Sequence, residues 1–288
     1  MKIVLGTWPI SGDYGKNNIA EAKKLIKYFL AKGYNEIDTA PNYGYGKSEL
    51  IIGQIPSNKK LLINTKIGNN SKKKKSFNYN FLKESFNESL KRLNRKSINI
   101  LFLHNPRKIK NLKQILKLLN ELKIKKKIKN YGLSISKDYR YSKKFLDNFK
   151  IFQLDYNLIY QKLYFNKFYR SKKNIYIRSP LASGLLTNKK KKFSNNDHRS
   201  EWLNKNRLKK INNSISQLYK NKKVDITKYS ILFLKKSEFS KKVIFGCRTV
   251  GQFKRIEKIL NSDEQMSGME FSNIKKIYLK KIKKQNLY

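Results

Sequence analysis

Four side chains that can bind or move a proton stand at or just past the ends of short apolar segments: Asp38, Tyr43, Lys66 and His104. The segments have the length and character of β-strands, so these side chains are expected at one edge of one sheet. An ammonium group stabilises phenolate and makes a phenol a better acid. A carboxylate can keep that ammonium charged, and an imidazole can orient the oxygen that receives the proton. The set predicts an enzyme that protonates a developing alkoxide, with Tyr43 as the general acid.

Other motifs in the chain do not support competing chemistries. Gly46-Lys47-Ser48 resembles the end of a phosphate-binding P-loop, but Pro41 stands where such a loop needs a glycine. Ser183 lies in Ala-Ser-Gly, which lacks the G-x-S-x-G pattern of a nucleophile elbow. Asp197 and His198 lie in a polar segment without metal-ligand spacing. No metal site is predicted.

Eight candidate strands alternate with candidate helices. The strands are predicted at Lys2–Leu5, Asn35–Asp38, Leu61–Lys66, Ile98–His104, Tyr131–Ser136, Ile151–Tyr156, Ile175–Ser179 and Val243–Gly246. Apolar residues at helical spacing predict helices over Ala20–Lys32, Phe81–Leu93 and Leu112–Ile128, and Thr249 is the predicted N-cap of a helix through Leu260. This alternation indicates a parallel sheet, and eight strands favour closure into a barrel. An open nucleotide-binding sheet would show G-x-G-x-x-G after the first strand, and this chain does not.

The predicted fold is α/β: one (β/α)8 TIM barrel domain over residues 1–288, with extra C-terminal helices. No Pro/Gly-rich linker or internal repeat divides the chain. Phe193–Lys223 is predicted as an insertion after the seventh strand, and the lysine-rich segment from Ser262 as a helical cap over the barrel. Catalytic groups of such barrels come from the C-terminal ends of the strands, where the four proton-handling residues stand.

The composition is strongly basic, with 67 Lys and Arg against 19 Asp and Glu in 288 residues and a formal net charge of +48. The lysines are scattered over every segment without interleaved aromatic residues. This favours compositional drift over a nucleic-acid partner, although a polyanion-binding module remains an alternative. The single cysteine, Cys247, excludes a disulfide framework. No apolar run approaches the roughly 20 residues of a membrane span or forms a signal-peptide core, so a cytoplasmic protein is expected.

The chain resembles the aldo-keto reductase family through ordered segments that run almost end to end. They are Gly6–Trp8, Ile37–Gly44, Lys47–Glu49, Thr65–Lys66, Leu103–Pro106, Tyr131–Ser134, Gln153–Asn157, Ser179–Leu186 and Gly246–Gln252. The resemblance, to a divergent bacterial branch, implies a (β/α)8 barrel and the reversible reduction of a small-molecule carbonyl with NADPH. It also implies Tyr43 as the acid, supported by Lys66, Asp38 and His104.

The resemblance further implies a cofactor extended across the barrel mouth. Ser134 and Gln153 match positions that hold the nicotinamide carboxamide, and the loop from Ser179 to Ala182 matches one that contacts the pyrophosphate. Arg248 matches a position beside the adenosine 2′-phosphate, where a charge-assisted fork would favour NADPH over NADH. The full implied set is Thr7, Trp8, Ser134, Gln153, Arg178, Ser179, Pro180, Leu181, Ala182, Gly246, Arg248 and Gln252.

Three positions depart from the family pattern. Ile135 follows Ser134 where the family often has asparagine or arginine, and Arg178 stands where an aromatic ring usually stacks on the nicotinamide. Arg255-Ile256 replaces a Glu-Asn pair near the adenine. The first two departures motivate an alternative function, a cofactor-binding regulatory subunit with little turnover. The sequence leaves the physiological substrate and the oligomeric state open.

Overall fold

Eight parallel strands close into a barrel in chain order, which confirms the predicted fold. The computed structural model describes residues 1–15, 18–56, 60–107, 109–135, 139–162, 164–171, 174–188, 193–194, 197–219 and 224–283. The strands are β1 Lys2–Gly6, β2 Glu36–Asp38, β3 Leu62–Ile67, β4 Ile98–His104, β5 Ile128–Ser134, β6 Ile151–Asp155, β7 Asn174–Arg178 and β8 Lys242–Gly246. β1 closes the barrel against β8 in the register Lys2↔Lys242 to Gly6↔Gly246.

Helices follow the strands and cover the outside of the barrel. They are α1 Ile19–Ala31, α2 Lys47–Gly53, α3 Tyr79–Leu93, α4 Leu112–Ile124, α5 Lys143–Leu146, α6 Lys167–Arg170, α7 Lys205–Tyr219, α8 Ile226–Lys236, α9 Val250–Asn261 and α10 Gly268–Ile277. Thr249 caps α9 as predicted, because its Oγ1 accepts from the amide of Gln252 at 3.2 Å. No helix in the described ranges is long and apolar enough to cross a membrane.

The predicted boundary between the fourth helix and the fifth strand was wrong. α4 ends at Ile124 rather than at Ile128, and β5 already begins at Ile128. Lys126 has a left-handed φ of 54°, which turns the chain out of the helix. Ile128 is then free to pair with Ile98 of β4, and this long-range pairing overrides the helical spacing that the local sequence shows.

Two segments outside the barrel repeat were predicted. The insertion after β7 contains a short 3₁₀ turn at His198–Glu201 and α7. The C-terminal cap contains α10 and a π-helical turn at Tyr278–Ile282, with Tyr278 buried against Phe165 in a stacked pair at 6.0 Å between ring centroids. Residues 284–288 and parts of the insertion lie outside the described residues.

The barrel interior contains an apolar layer with a polar layer above it. The apolar layer comprises Val4, Ile100, Phe102, Tyr176 and Ile244. Successive strand residues point to opposite faces, so His104 and Arg178, two positions beyond members of this layer, also point inward. Lys66 is in register with Phe102 and shares its face. The pleat of the strands therefore projects these polar groups into the C-terminal mouth.

Candidate active site

Lys66 lies at the centre of a buried polar group below the barrel mouth. Its Nζ donates to Asp38 Oδ2 at 2.7 Å, to the carbonyl oxygen of Thr39 at 2.8 Å and to the hydroxyl of Tyr43 at 3.2 Å. Lys66 is fully buried, and Asp38 is 4% exposed. The structure thus brings together the carboxylate and phenol that the sequence placed at and after the second strand and the ammonium that it placed at the end of the third.

Burial and neighbouring charges shift the pKa values of Lys66 and Tyr43 in opposite directions. Burial lowers the pKa of Lys66, but Asp38 and Tyr43 raise it by more, so its net value lies above the ordinary 10.5. Burial raises the pKa of Tyr43 above its ordinary 10.0, although the charge of Lys66 lowers it by a smaller amount. The charge of Lys66 thus acts on the phenol in the predicted direction, but burial outweighs it and the net pKa rises. Tyr43 holds its proton at neutral pH, and Lys66 is charged and ready to stabilise the phenolate.

His104 is a neutral imidazole beside the phenol. Its ring lies edge-on to Tyr43, with 6.3 Å between the ring centroids. Asn69 Nδ2 lies 3.2 Å from His104 Nδ1; an amide nitrogen can only donate, so Nδ1 accepts and the ring proton lies on Nε2. Burial, followed by the charges of Lys66 and Arg178, holds the pKa of His104 well below 6.5. His104 can therefore donate one hydrogen bond without carrying a positive charge.

Tyr43 is held by the loops that follow the first two strands. The ring of Trp8 stacks on Tyr43 with centroids 5.5 Å apart and planes at 13°. Asp13 Oδ2 accepts from Trp8 Nε1 at 2.8 Å and from the amide of Gly44 at 2.9 Å. Gly44 has a left-handed φ of 55°, and a Cβ there would lie 2.1 Å from the carbonyl oxygen of Ser11. Only glycine permits this close approach, which fixes the backbone next to Tyr43.

A buried chain of hydroxyl groups supports the backbone around Asp38. Thr7 Oγ1 donates to the carbonyl oxygen of Asp38 at 3.0 Å and accepts from Ser48 Oγ at 2.6 Å. Ser48 Oγ also lies 2.9 Å from Thr39 Oγ1. Thr7 was predicted as a cofactor residue. In this structure Thr7 is fully buried and contacts the end of β2, and its role toward a cofactor stays a prediction.

Arg178 extends across the mouth from the end of β7. Its Nη2 donates to Asp155 Oδ2 at 2.9 Å, to the carbonyl oxygen of Ile135 at 2.8 Å and to Asn105 Oδ1 at 3.3 Å. Because β6 lies between β5 and β7, the side chain crosses the C-terminal end of β6 to reach Ile135. Nε of Arg178 is buried without a hydrogen-bond partner among the described residues.

Ser134 and Gln153, predicted to hold the nicotinamide carboxamide, are both fully buried. Ser134 Oγ donates to Gln153 Oε1 at 3.0 Å, and Gln153 Nε2 donates to Asp38 Oδ1 at 2.7 Å. The structure therefore places both side chains in contact with the group around Lys66.

The loop after β7, predicted to contact the pyrophosphate, has an unusual backbone. Ser179, Ala182 and Ser183 all have left-handed φ angles, of 53°, 47° and 56°. Non-glycine residues rarely adopt this conformation, and it is concentrated at functional sites. Pro180 is buried and Leu181 is partly exposed at this turn. Asn157 Nδ2 donates to the carbonyl oxygen of Ser179 at 2.9 Å and fixes the start of the loop.

The donor set beyond β8 fits an anionic group. Gly246 is exposed at the mouth, and Arg248 and Gln252 are partly exposed at the N-terminus of α9. The backbone amide of Arg248 donates to Gln252 Oε1 at 2.8 Å, and its Nη1 donates to the carbonyl oxygen of Tyr14 at 2.9 Å. A guanidinium beside a helix N-terminus favours phosphate. One carboxylate is already close, because the amide of Val250 donates to Glu21 at 3.4 Å.

The structure adds residues that the sequence analysis did not assign. Asp13 connects Trp8 to the loop after β2, Asn69 sets the tautomer of His104, and Asp155 pairs with Arg178. Asp155 had a detectable signal, an acidic residue at the end of an apolar strand. Asp13 and Asn69 lie in polar loops, where nothing in the local sequence indicates their partners.

The comparison with known proteins decides the family. A sequence model described as the Aldo/keto reductase family matches residues 2–279. The chain belongs to the aldo/keto reductase family. Members of this family are oxidoreductases that use nicotinamide cofactors, and the polar group at the mouth of this barrel is its candidate active site.

Known relatives and solved structures align with most of this aldo/keto reductase. Aldo-keto reductase YhdN of Bacillus subtilis is 26% identical over 294 residues, covering 92% of this chain and 87% of the relative. The NADH-specific methylglyoxal reductase of Escherichia coli is 30% identical over 211 residues, 64% of each chain. The structure of a glycerol dehydrogenase from Gluconobacter oxydans matches with a TM-score of 0.74 at 22% identity, covering 96% of this chain and 90% of that one. This last likeness concerns the fold alone.

Proposed function

We propose that this aldo/keto reductase is an NADPH-dependent oxidoreductase that reduces an aldehyde or ketone to an alcohol, acting as one domain over residues 1–288. Tyr43 is the general acid, with Lys66, Asp38 and His104 as its support. The observation that carries the proposal is the position of Lys66 Nζ, which contacts both Asp38 Oδ2 and the Tyr43 hydroxyl. A charged amine in contact with a phenol is the arrangement that proton delivery to an alkoxide needs.

Each residue of this chain has a separate task in the proposed mechanism. The nicotinamide, when bound, supplies the hydride. Tyr43 gives its proton to the carbonyl oxygen of the substrate, and Lys66 stabilises the phenolate that remains. Asp38 keeps Lys66 charged in its buried position. His104 donates from Nε2 to the same carbonyl oxygen and so holds it close to the phenol.

The cofactor preference rests on Arg248. Arg248 directly precedes Thr249, the N-cap of α9, and the guanidinium and the positive end of the helix dipole both suit a 2′-phosphate. The other accessible members of the predicted cofactor set are Trp8, Arg178, Ser179, Leu181, Gly246 and Gln252. The carboxylate of Glu21 near Val250 and the name of the E. coli relative favour NADH as the competing outcome.

One observation favours a second candidate function, cofactor binding with little turnover. Arg178 is bonded to Ile135 and Asp155 and crosses the end of β6, near the residues predicted to hold the nicotinamide. A guanidinium held there competes for space with a nicotinamide ring. NADPH binding without reduction of any carbonyl compound would support this candidate.

A carbonyl screen followed by cofactor absorbance tests the proposed function. We expect wild-type protein to oxidise NADPH in the presence of at least one small aldehyde or ketone. Arg248→Gln should raise the KM for NADPH about tenfold, because a charge-assisted bond to phosphate is lost, and should leave the KM for NADH nearly unchanged.

Arg95→Gln is the matched control for that variant, because Arg95 precedes β4 and donates to the carbonyl oxygen of Ile55, which precedes β3, at the end of the barrel opposite the mouth. Absence of turnover with every compound and both cofactors would contradict the proposed oxidoreductase. An unchanged KM for NADPH in Arg248→Gln would contradict the role of Arg248 and would leave the proposed oxidoreductase activity standing.

A further inference from the structure

The loop between β3 and α3 forms a short hairpin beside the barrel mouth. Asn69 pairs with Lys75 across an antiparallel bridge, and the amide of Ser76 donates to the carbonyl oxygen of Gly68 at 3.1 Å. Residues that lie opposite one another in an antiparallel pair project their side chains to the same face. The hairpin therefore directs the side chains of Asn69 and Lys75 together toward the end of β4.

Both side chains contact the end of β4, where the imidazole of the proposed active site lies. Asn69 Nδ2 lies 3.2 Å from His104 Nδ1, and Lys75 Nζ donates to the carbonyl oxygen of Asn105 at 3.0 Å. Asn105 directly follows His104 and has a left-handed φ of 48°, a conformation that is rare for non-glycine residues and concentrated at functional sites. The hairpin thus fixes an ammonium group at the residue next to His104.

The charge of Lys75 differs from that of the cations deeper in the mouth. Lys66 and Arg178 each pair with an aspartate, whereas Lys75 has no carboxylate partner in the part of the chain that the structure describes. Burial, followed by the charge of Arg107, lowers the pKa of Lys75 below its ordinary 10.5. Burial and the charges of Lys66 and Arg178 lower the pKa of His104, and Lys75 adds to them. Positive charges gathered in this way attract an anion.

Lys75 also keeps hydrogen-bonding capacity for a ligand. An ammonium group has three N–H donors, and the carbonyl oxygen of Asn105 takes one of them. The side chain is exposed, so an incoming molecule can reach the remaining donors. His104 can donate from Nε2 at the same time. The end of β4 therefore offers one donor for a carbonyl oxygen and a charged group for an anion beside it.

We infer that Lys75 is a specificity-determining residue that binds an acidic group, a carboxylate or a phosphate, on the carbonyl substrate. This inference rests on the proposed function and names the class of substrate on which it acts. While Tyr43 and His104 hold the carbonyl oxygen, the acidic group further along the same molecule contacts the ammonium of Lys75. One charge-assisted hydrogen bond then distinguishes anionic from neutral carbonyl compounds.

Lys75→Gln tests the inference with two pairs of substrates that differ in charge. The pairs are 4-oxobutanoate with its methyl ester, and glyceraldehyde 3-phosphate with glyceraldehyde. For wild type we expect a kcat/KM about tenfold higher for the anion in at least one pair, and the pair shows whether the group is a carboxylate or a phosphate. In Lys75→Gln the value for that anion should fall about tenfold, mainly through KM, because a charge-assisted bond is lost.

The neutral member of the pair should stay within about twofold in Lys75→Gln, because glutamine keeps a donor for the carbonyl oxygen of Asn105. Lys72→Gln is the matched control, since Lys72 is exposed on the same hairpin and only its backbone amide is hydrogen-bonded there. It loses the same charge, so the long-range attraction of anions falls equally in both variants. Lys72→Gln and Lys75→Arg should both keep the wild-type preference for the anion.

Calorimetric titration gives a readout that needs no turnover. The ligands are 4-hydroxybutanoate and glycerol 3-phosphate, the alcohols that reduction of the two anionic aldehydes would form. The Kd of the preferred anion should rise about tenfold in Lys75→Gln and stay unchanged in Lys72→Gln. If wild-type protein reduces nothing, the proposed function fails. The titration then decides alone, and absent binding or an unmoved Kd in Lys75→Gln rejects the anion site.

Three results would overturn the inference in a protein that turns over. The first is an equal kcat/KM for the anionic and neutral members of both pairs. The second is an equal loss of the preference for the anion in Lys75→Gln and Lys72→Gln, which would attribute that preference to net charge. The third is a rise of about tenfold in the Kd for NADPH in Lys75→Gln, which would assign Lys75 to a phosphate of the cofactor.

Discussion

Lys66→Met should reduce catalysis and stability together, and both by a large amount. We expect kcat to fall about 100- to 1,000-fold, because the phenolate of Tyr43 loses its stabilising charge. The free energy of unfolding should fall by about 3–5 kcal/mol, because Asp38 is left as a buried carboxylate without its cation. Steady-state kinetics and denaturant unfolding measure the two effects.

The two effects of Lys66→Met can be separated by a second substitution. Adding Asp38→Asn removes the uncompensated charge and keeps an acceptor for Gln153, so most of the stability should return while kcat stays low. The control is Lys228→Met, because Lys228 forms an ion pair with Glu264 at the surface and should contribute no more than about 1 kcal/mol. A stable Lys66→Met protein with wild-type kcat would contradict the account of this lysine.

Tyr43→Phe should reduce catalysis strongly with only a small loss of stability, because Lys66 keeps its bonds to Asp38 and to the carbonyl oxygen of Thr39 when the hydroxyl is removed. General acid catalysis by a positioned side chain contributes about 100- to 10,000-fold, and we expect a loss of kcat in this range. The stacking of the ring on Trp8 does not need the hydroxyl, so the NADPH Kd and thermal stability should stay near wild type. Fluorescence titration with NADPH and carbonyl turnover measure the two quantities.

Tyr176→Phe is the matched control, because it removes a buried hydroxyl at the other end of the barrel. Tyr176 donates to Glu36 Oε1 at 2.7 Å, and hydrogen bonds to charged groups are worth about 1.5–3 kcal/mol. This variant should lose stability and keep its kcat. If Tyr176→Phe and Tyr43→Phe lost activity equally, the effect would lie in the fold and not in proton transfer.

The barrel and the convergence of charged groups could be predicted from the sequence because both depend on local patterns. Apolar segments with strand character predict the strands, and the polar residue that follows each segment marks the C-terminal end of that strand. Lys66 and His104 follow such segments directly. Because strands alternate with helices, the strands are parallel, and all of their C-terminal ends lie at the same end of the barrel.

The contacts around the site could not be predicted, because they depend on how distant strands meet. The bond between Gln153 and Asp38 requires closure of the barrel, which brings β6 within reach of β2 across its interior. The net rise in the pKa of Tyr43 depends on how deeply the ring is buried, and no local pattern gives that depth. The sequence shows that Arg178 is unusual for its position. It does not show that this side chain bonds Asp155 and Ile135.

The pH dependence of hydride transfer from NADPH, in single turnovers of wild type and Tyr43→Phe, tests most directly whether the phenol is the proton donor. Burial raises the pKa of Tyr43 above 10.0, and the pKa of His104 lies well below 6.5. The wild-type rate should therefore stay level through neutral pH and fall only on the alkaline side, as the phenol loses its proton. Tyr43→Phe should be slow and lack that alkaline fall. A wild-type rate that falls with a midpoint near 6.5, or an alkaline fall that persists in Tyr43→Phe, would contradict the account.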